Sequence, residues 1–193
     1  SGLLSFTGTG GSDDGFITRY FDQKVPHSQS ILYLDGVNQF VDTNYAIPTT
    51  FTTTPITVSA QIVLQGTDRL VIVGNFDGVV AGTVNFEITN AGKLRGYIQG
   101  TIGSPKDFET VAVVTKGVLH DVEMRWDGTD LKLFIDGVDE AVVKNVDGGV
   151  GGTYGKPAVN LRVGTDSRSG NFFETCGVAN VQVRINNTLT YSA

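Results

Sequence analysis

The sequence predicts an all-β protein, an antiparallel sandwich of two sheets. Three observations carry that reading. From residue 31 onward, apolar and polar residues alternate with period two in short runs. The runs are separated by Gly, Asn and Asp where tight turns need them. No segment repeats with the 3.6-residue period of a helix. The expected strands lie at 31–34, 40–42, 56–64, 70–75, 83–89, 94–99, 109–114, 119–126, 131–135, 140–144, 160–164 and 178–185. Strands so short and so closely spaced bury their apolar faces by packing one sheet on another. The 193 residues, 40% hydrophobic and 18% charged with 25 Gly, suit one such core.

Residues 1–30 stand apart from this pattern. Gly8-Thr9-Gly10-Gly11-Ser12-Asp13-Asp14-Gly15 reads as an exposed turn between two short apolar pieces. The segment is expected to be an N-terminal arm or extra hairpin, either covering an edge of the sandwich or docking on a neighbouring subunit. Residues 31–193 form the sandwich domain.

The best-specified part of the chain is 119–144. Asp136-Gly137 supplies the two positive φ angles of a two-residue hairpin. Asp127-Gly128-Thr129-Asp130 closes a longer hairpin, and Asn90-Ala91-Gly92 makes a similar turn earlier in the chain. A three-stranded meander over 119–144 follows. Within its first strand Leu119, Asp121, Glu123 and Arg125 alternate with His120, Val122, Met124 and Trp126, so the two sets project from opposite faces. Trp126, the single Trp, is thereby assigned to the core with Val122 and Met124.

Composition excludes several functions. A net charge of −6 with 14 scattered basic residues opposes binding to a phosphate backbone or an anionic membrane surface. The one cysteine, Cys176, forms no intrachain disulfide. No run is apolar and long enough to cross a bilayer as a helix. Ser1-Gly2-Leu3-Leu4-Ser5 lacks the basic end and apolar run of a signal peptide. Taken as following a removed initiator Met, that start predicts synthesis in the cytosol.

The meander also carries a resemblance. Leu119-His120-Asp121-Val122-Glu123-Met124-Arg125-Trp126-Asp127-Gly128, followed by Leu131-Lys132-Leu133-Phe134-Ile135-Asp136-Gly137, resembles the laminin G-like pattern of the concanavalin A-like lectin/glucanase superfamily. Tyr33-Leu34-Asp35-Gly36-Val37-Asn38-Gln39-Phe40-Val41 is similar to the family's opening strand pair. Asn160-Leu161-Arg162-Val163-Gly164 and Gly177-Val178-Ala179-Asn180-Val181-Gln182-Val183 are similar to its closing strands. The resemblance runs from about residue 31 to 186 and implies a jelly-roll sandwich. It leaves function open among lectins, adhesion domains, glycoside hydrolases and virion components.

Catalytic constellations are thin. Glycosidases need two carboxylates flanking the scissile bond. Asp121 and Glu123 project from one face, as the catalytic acids of one hydrolase branch of the superfamily do. That branch has a Glu, an Asp and a second Glu along the strand, whereas Leu119 and Arg125 occupy the flanking positions here. No Gly-x-Ser-x-Gly elbow exists, and the histidines are His27 and His120 alone. Cys176 reads as a buried, inert thiol.

Two histidines and one cysteine cannot build a zinc site without carboxylate help. Calcium is the one metal the residue types suit, because loop carboxylates beside backbone carbonyls offer hard oxygen ligands. The resemblance places a calcium ligand at Asp77, in Asn75-Phe76-Asp77-Gly78, with Asp147 or Asp166 as a second. For glycan recognition the expected loop residues are Asn75, Asp77, Tyr154, Asp166, Arg168 and Asn171, which combine amides, carboxylates, a guanidinium and an aromatic face. The sequon at Asn186-Asn187-Thr188 matters only in a secreted eukaryotic protein.

These features predict a non-enzymatic binding or structural module rather than an enzyme. The expected setting is the surface of a bacteriophage particle, as a capsid decoration or tail adhesion component made in the host cytoplasm. Its partners would be other virion proteins, or itself through the arm, together with glycans. The competing expectations are a free carbohydrate-binding or adhesion module of a bacterial protein, at the cell surface or outside it, and an endo-glycoside hydrolase.

Overall fold

A computed structural model describes residues 5–6, 31–35, 40–66, 69–156, 158–165 and 175–192. The expected arm lies outside them except for its first strand. In chain order the strands are β1 (Ser5–Phe6), β2 (Leu32–Asp35), β3 (Val41–Asp42), β4 (Thr50–Phe51), β5 (Ile56–Leu64), β6 (Leu70–Gly74) and β7 (Thr83–Ile88). They continue with β8 (Lys93–Gln99), β9 (Ile102–Gly103), β10 (Lys106–Val113), β11 (Leu119–Trp126), β12 (Leu131–Ile135) and β13 (Val138–Asp139). The last six are β14 (Val142–Asp147), β15 (Val150–Gly151), β16 (Thr153–Tyr154), β17 (Arg162–Val163), β18 (Thr175–Ile185) and β19 (Thr188–Ser192). Among the described residues there is no helix.

The strands form the antiparallel sandwich that the alternation requires. The larger sheet has the order β1-β3-β17-β6-β7-β8-β10-β14, and the smaller β13-β12-β11-β5-β18-β19. The side of β18 that faces away from β5 is shared, since Thr175–Val178 pair with β2 and Gln182–Ile185 with β19. β5 is central, hydrogen-bonded to β11 on one side and to β18 on the other. Its side chains alternate strictly between buried and half-buried. Ile56, Val58, Ala60, Ile62 and Leu64 therefore face the core, and Thr57, Ser59, Gln61 and Val63 face outward.

Across the core stand Val84, Phe86 and Ile88 of β7, Leu94 and Ile98 of β8 and Phe108 of β10, all buried with the inner face of β5. Each such side chain contributes about 1.5–3 kcal/mol by leaving water. Gly96, in the middle of β8, lets the sheets approach here. A Cβ at that position would lie 2.9 Å from both Leu133 Cδ2 and Met124 Sδ, so a larger residue would push the layers apart.

The turn chemistry holds. Asp136 and Gly137 have φ of 52° and 79°, the two positive values of a type I′ hairpin. Asp127 Oδ1 accepts the N–H groups of Thr129 and Asp130, each at 2.8 Å, which closes the turn into β12. The third strand of the meander is a correction. β13 pairs with β12 for two residues only, and the chain then crosses so that β14 pairs with β10 in the larger sheet. The exposed valines of β14 gave no periodic signal that could tell the two sheets apart.

Trp126 is buried as its alternation predicts, and its indole N–H donates to Thr52 O at 2.6 Å. Tyr154 lies fully buried nearby, and its hydroxyl donates to Thr54 O at 2.6 Å. The two rings thus pin the chain that leads into β5. Replacing Trp126 with Phe removes the indole N–H, leaves Thr52 O without that donor and opens a void. The expected loss is about 2–4 kcal/mol, read as a lower urea midpoint at unchanged slope in denaturation followed by tyrosine fluorescence.

Candidate functional site

The outward face of the smaller sheet carries a groove of about 630 Å³ that crosses β12, β11, β5 and β18. Two cross-strand rows build it. Phe134, Glu123, Ser59 and Gln182 stand in register across the four strands. Asp121 stands opposite Gln61, which in turn faces Ala179. The strict alternation of β5 and β11 puts these polar residues on the surface that their apolar neighbours leave.

An irregularity in β18 adds a residue that simple alternation would misplace. Between the pairs Ala179↔Gln61 and Gln182↔Ser59, β18 has two residues and β5 has one. This is a β-bulge, and Asn180 takes φ of 49° within it. The bulge turns its amide outward, where Nδ2 donates to Gln61 Oε1 at 2.7 Å. Beside it, Arg184 Nη2 donates to Gln182 Oε1 at 2.9 Å.

The opposite wall is charged. Arg125 is ion-paired with Glu123, and its guanidinium lies 4.2 Å from the Phe134 ring centroid, a cation–π contact. The Asp136 carboxylate is fixed twice, by the Asp121 N–H at 2.9 Å and by His120 Nδ1 at 2.7 Å. Asp121 and Glu123, the two acids that a hydrolase would require, both line this groove. One is open to solvent and the other is held by a guanidinium. Neither has the apolar surround that keeps a general acid protonated.

The residues expected at the loop site fall elsewhere. Asn75 is fully buried, and its Oδ1 accepts the Val84 N–H at 2.9 Å, so it is a clamp between β6 and β7. Tyr154 corrects the expectation of an exposed aromatic face: it has no open side, and burial pushes its phenol pKa up. Asp77 accepts from Lys156 Nζ at 2.6 Å and from the Val79 N–H at 3.0 Å. Asp147 is likewise held, between Lys106 and Lys144. Among the described residues no three His, Cys, Asp or Glu side chains come together as a metal site. Asp166, Arg168 and Asn171 lie outside the described residues.

The groove residues Ser59, Gln61, Asn180 and Gln182 were not singled out from sequence. The signal that could have found them is polar residues at alternate positions of the central, most regular strand. The bulge at Asn180 left only a weak trace, an Asn interrupting the alternation of β18.

A second polar cluster lies on the larger sheet. Glu87, almost fully buried, accepts from Arg95 Nη1 at 3.0 Å and Asn85 Nδ2 at 2.6 Å, and is paired with Arg69. Arg95 also grips Asp107 through Nε and Nη2, each at 2.6 Å, and this bond raises the arginine pKa. A bidentate Arg–carboxylate pair of this kind ties β7, β8 and β10 together.

The sequence matches, over residues 34–183, the profile described as the concanavalin A-like lectin/glucanases superfamily. The chain belongs to that superfamily. No curated protein sequence matches it. Solved structures similar to it include the binding domain of botulinum neurotoxin serotype D, at 12% identity and a TM-score of 0.54, covering 90% of this chain and 43% of that one. Domains LG4-5 of the mouse laminin α1 chain are 11% identical with a TM-score of 0.53, over 83% and 42%. A Trypanosoma rangeli sialidase is 14% identical with a TM-score of 0.53, over 88% and 26%. The chain thus spans less than half of each of these structures. At such identities the likeness concerns the fold, which is the laminin G-like sandwich expected from the resemblance.

Two consequences are measurable. Replacing Glu87 with Ala leaves Arg69 and Arg95 without their shared, desolvated carboxylate and is expected to cost about 3 kcal/mol or more in chemical denaturation. The Lys156 hydrogen bond holds the Asp77 carboxyl below the ordinary carboxylate pKa. Its contribution to stability is therefore full above the unfolded-state pKa and is lost as pH falls through the folded one. In thermal unfolding, Asp77→Asn should be less stable than the parent at neutral pH, and the gap should narrow as pH falls below about 4.

Proposed function

We propose that this chain is a non-enzymatic carbohydrate-binding module whose glycan lies in the groove across β12, β11, β5 and β18. The observation that carries the reading is the groove itself. Amides from Gln61, Asn180 and Gln182, the Ser59 hydroxyl and three carboxylates converge on one surface, a set that matches the dense hydroxyls of a sugar. The superfamily joins lectins to glucanases, so the fold alone admits both functions. Binding is favoured because Glu123 is engaged by Arg125 and Asp121 is exposed, leaving no paired acid and base around a bond.

The setting we propose is the surface of a bacteriophage particle, as a capsid decoration or tail adhesion component. Support comes from a single buried cysteine, which needs no oxidising compartment, and from β1, a two-residue strand at the edge of the larger sheet, the kind of edge on which another chain pairs. Light scattering of the chain with and without residues 1–30 tests this. Loss of an oligomer or of capsid binding on truncation supports it, and an indifferent monomer that binds no particle overturns it.

The glycan reading is tested on a glycan array with the parent and the double variant Gln61→Ala, Asn180→Ala. Each lost hydrogen bond is worth about 1 kcal/mol, so binding should weaken by about tenfold or more; alanine at Asn180, whose φ is 49°, lowers the melting temperature by a few degrees, and the array is read well below that transition. An array blank at high glycan density, or full binding by the double variant, would refute the site.

A further inference from the structure

β14 ends the larger sheet, and among the described residues β10 alone pairs with it. Its residues Val143 to Asp147 are all exposed. Alternation sets which backbone groups the free edge offers. Ala141 O accepts the Val111 N–H at 2.8 Å, and the Gly148 N–H donates to Pro105 O at 3.0 Å. Ala141, Val143 and Gly148 therefore turn their backbone groups toward β10, and Val142, Lys144 and Asp147 turn theirs away from it.

A flat apolar edge would invite open-ended aggregation, but this edge is shaped. Asp107 stands opposite Val146 and Phe108 opposite Lys144, so Asn145 is an extra residue, a bulge. The bulge puts Val143 and Val146, three apart, on one outer face beside Glu109 and Asp107. A regular strand carries same-face residues two apart and cannot match that spacing. β14 of a second copy, run antiparallel, matches it. With a two-fold axis between Lys144 and Asn145, Val143 falls opposite Val146 of the second copy, and Val142 opposite its Asp147. The first is a pair without hydrogen bonds, where side chains come closest, and the second exchanges two N–H···O bonds. On the other face Lys144, paired with Asp147 of its own chain at 2.9 Å, lies diagonal to Asp147 of the second copy, within reach of so long a side chain. Apolar groups and opposite charges thus meet in one register. Val111 and Val113, exposed on β10, extend the apolar strip.

We propose that the chain forms a two-fold dimer through β14, which joins two larger sheets into one continuous sheet. The contact is isologous and uses up the edge on both copies, so assembly through it stops at two. The axis stands perpendicular to the joined sheet, and both smaller sheets therefore lie on the same side of it. Where their grooves hold glycan as proposed above, they face one surface together and bind it at two points. The dimer itself does not depend on that reading.

Sedimentation velocity of the full chain over a range of concentrations tests this. A monomer–dimer equilibrium is expected, with nothing heavier than twice the mass of one chain. Val143→Lys places a charge in the valine cluster of both copies and should weaken association by about tenfold or more. Lys144→Pro removes an N–H that faces away from β10, so it should abolish the dimer and keep the β10 pairing. Both positions are exposed, and the far-ultraviolet circular dichroism of each variant should match the parent. The register has its own check: Val143→Cys combined with Val146→Cys should cross-link two chains under mild oxidation. A monomer at every concentration, open-ended aggregates, a dimer that survives both single variants, or no cross-link would overturn the proposal. An oligomer lost on removing residues 1–30 but kept in Val143→Lys would also overturn it, and would assign assembly to the arm.

Discussion

The structure depends most on the pairing of β5 with both of its neighbours. Eight of its nine residues, Ile56 to Val63, stand in register with β11 along one edge, and apart from one bulge the strand is paired with β18 along the other. A strand paired on both sides in a fixed register cannot slip by one residue without turning its apolar set into water. Ile56 to Leu64 therefore set the depth of the core, and Ser59 and Gln61 set the floor of the groove. Trp126 and Tyr154 secure the entry to this strand through Thr52 and Thr54. Stability and the candidate site thus share one element.

The two outer faces deal with polar groups in opposite ways. On the larger sheet, Glu87, Arg95 and Asp107 are drawn out of water and satisfy one another with short, bidentate bonds. A cluster of that kind holds strands in place and offers a ligand little, because its lone pairs and protons are already used. On the smaller sheet Glu123 is held by Arg125 and Asp136 by His120 and the Asp121 N–H, while the exposed Asp121 carboxylate has no side-chain partner among the described residues. A binding surface requires that incompleteness: groups that are positioned but not yet satisfied, so that the ligand completes them.

Much of the fold was legible because its signals are local. The spans 56–64, 119–126 and 131–135 coincide with β5, β11 and β12, where alternation is strict and turns are spelled by Asp-Gly. The site was less legible. Polar loop residues such as Asn75 and Asp77 look available in sequence, yet a loop side chain is often drawn back to cap its own turn or clamp its neighbour. Asn75 bonds to Val84 and Asp77 to Val79 and Lys156. Tyr154 misled for a related reason, since a lone aromatic between glycines carries no period to tell buried from exposed.

The sequence by itself determined the all-β class, the superfamily, the inward row of β11 and the hairpin at Asp136, because period, turn residues and motif order act over a few positions. Tertiary structure decided which sheet receives β14, how the bulge turns Asn180 toward Gln61 and which carboxylates remain free. Those outcomes depend on pairing between residues as far apart as Gln61 and Asn180, and on competition for hydrogen bonds among groups that meet only when the strands assemble.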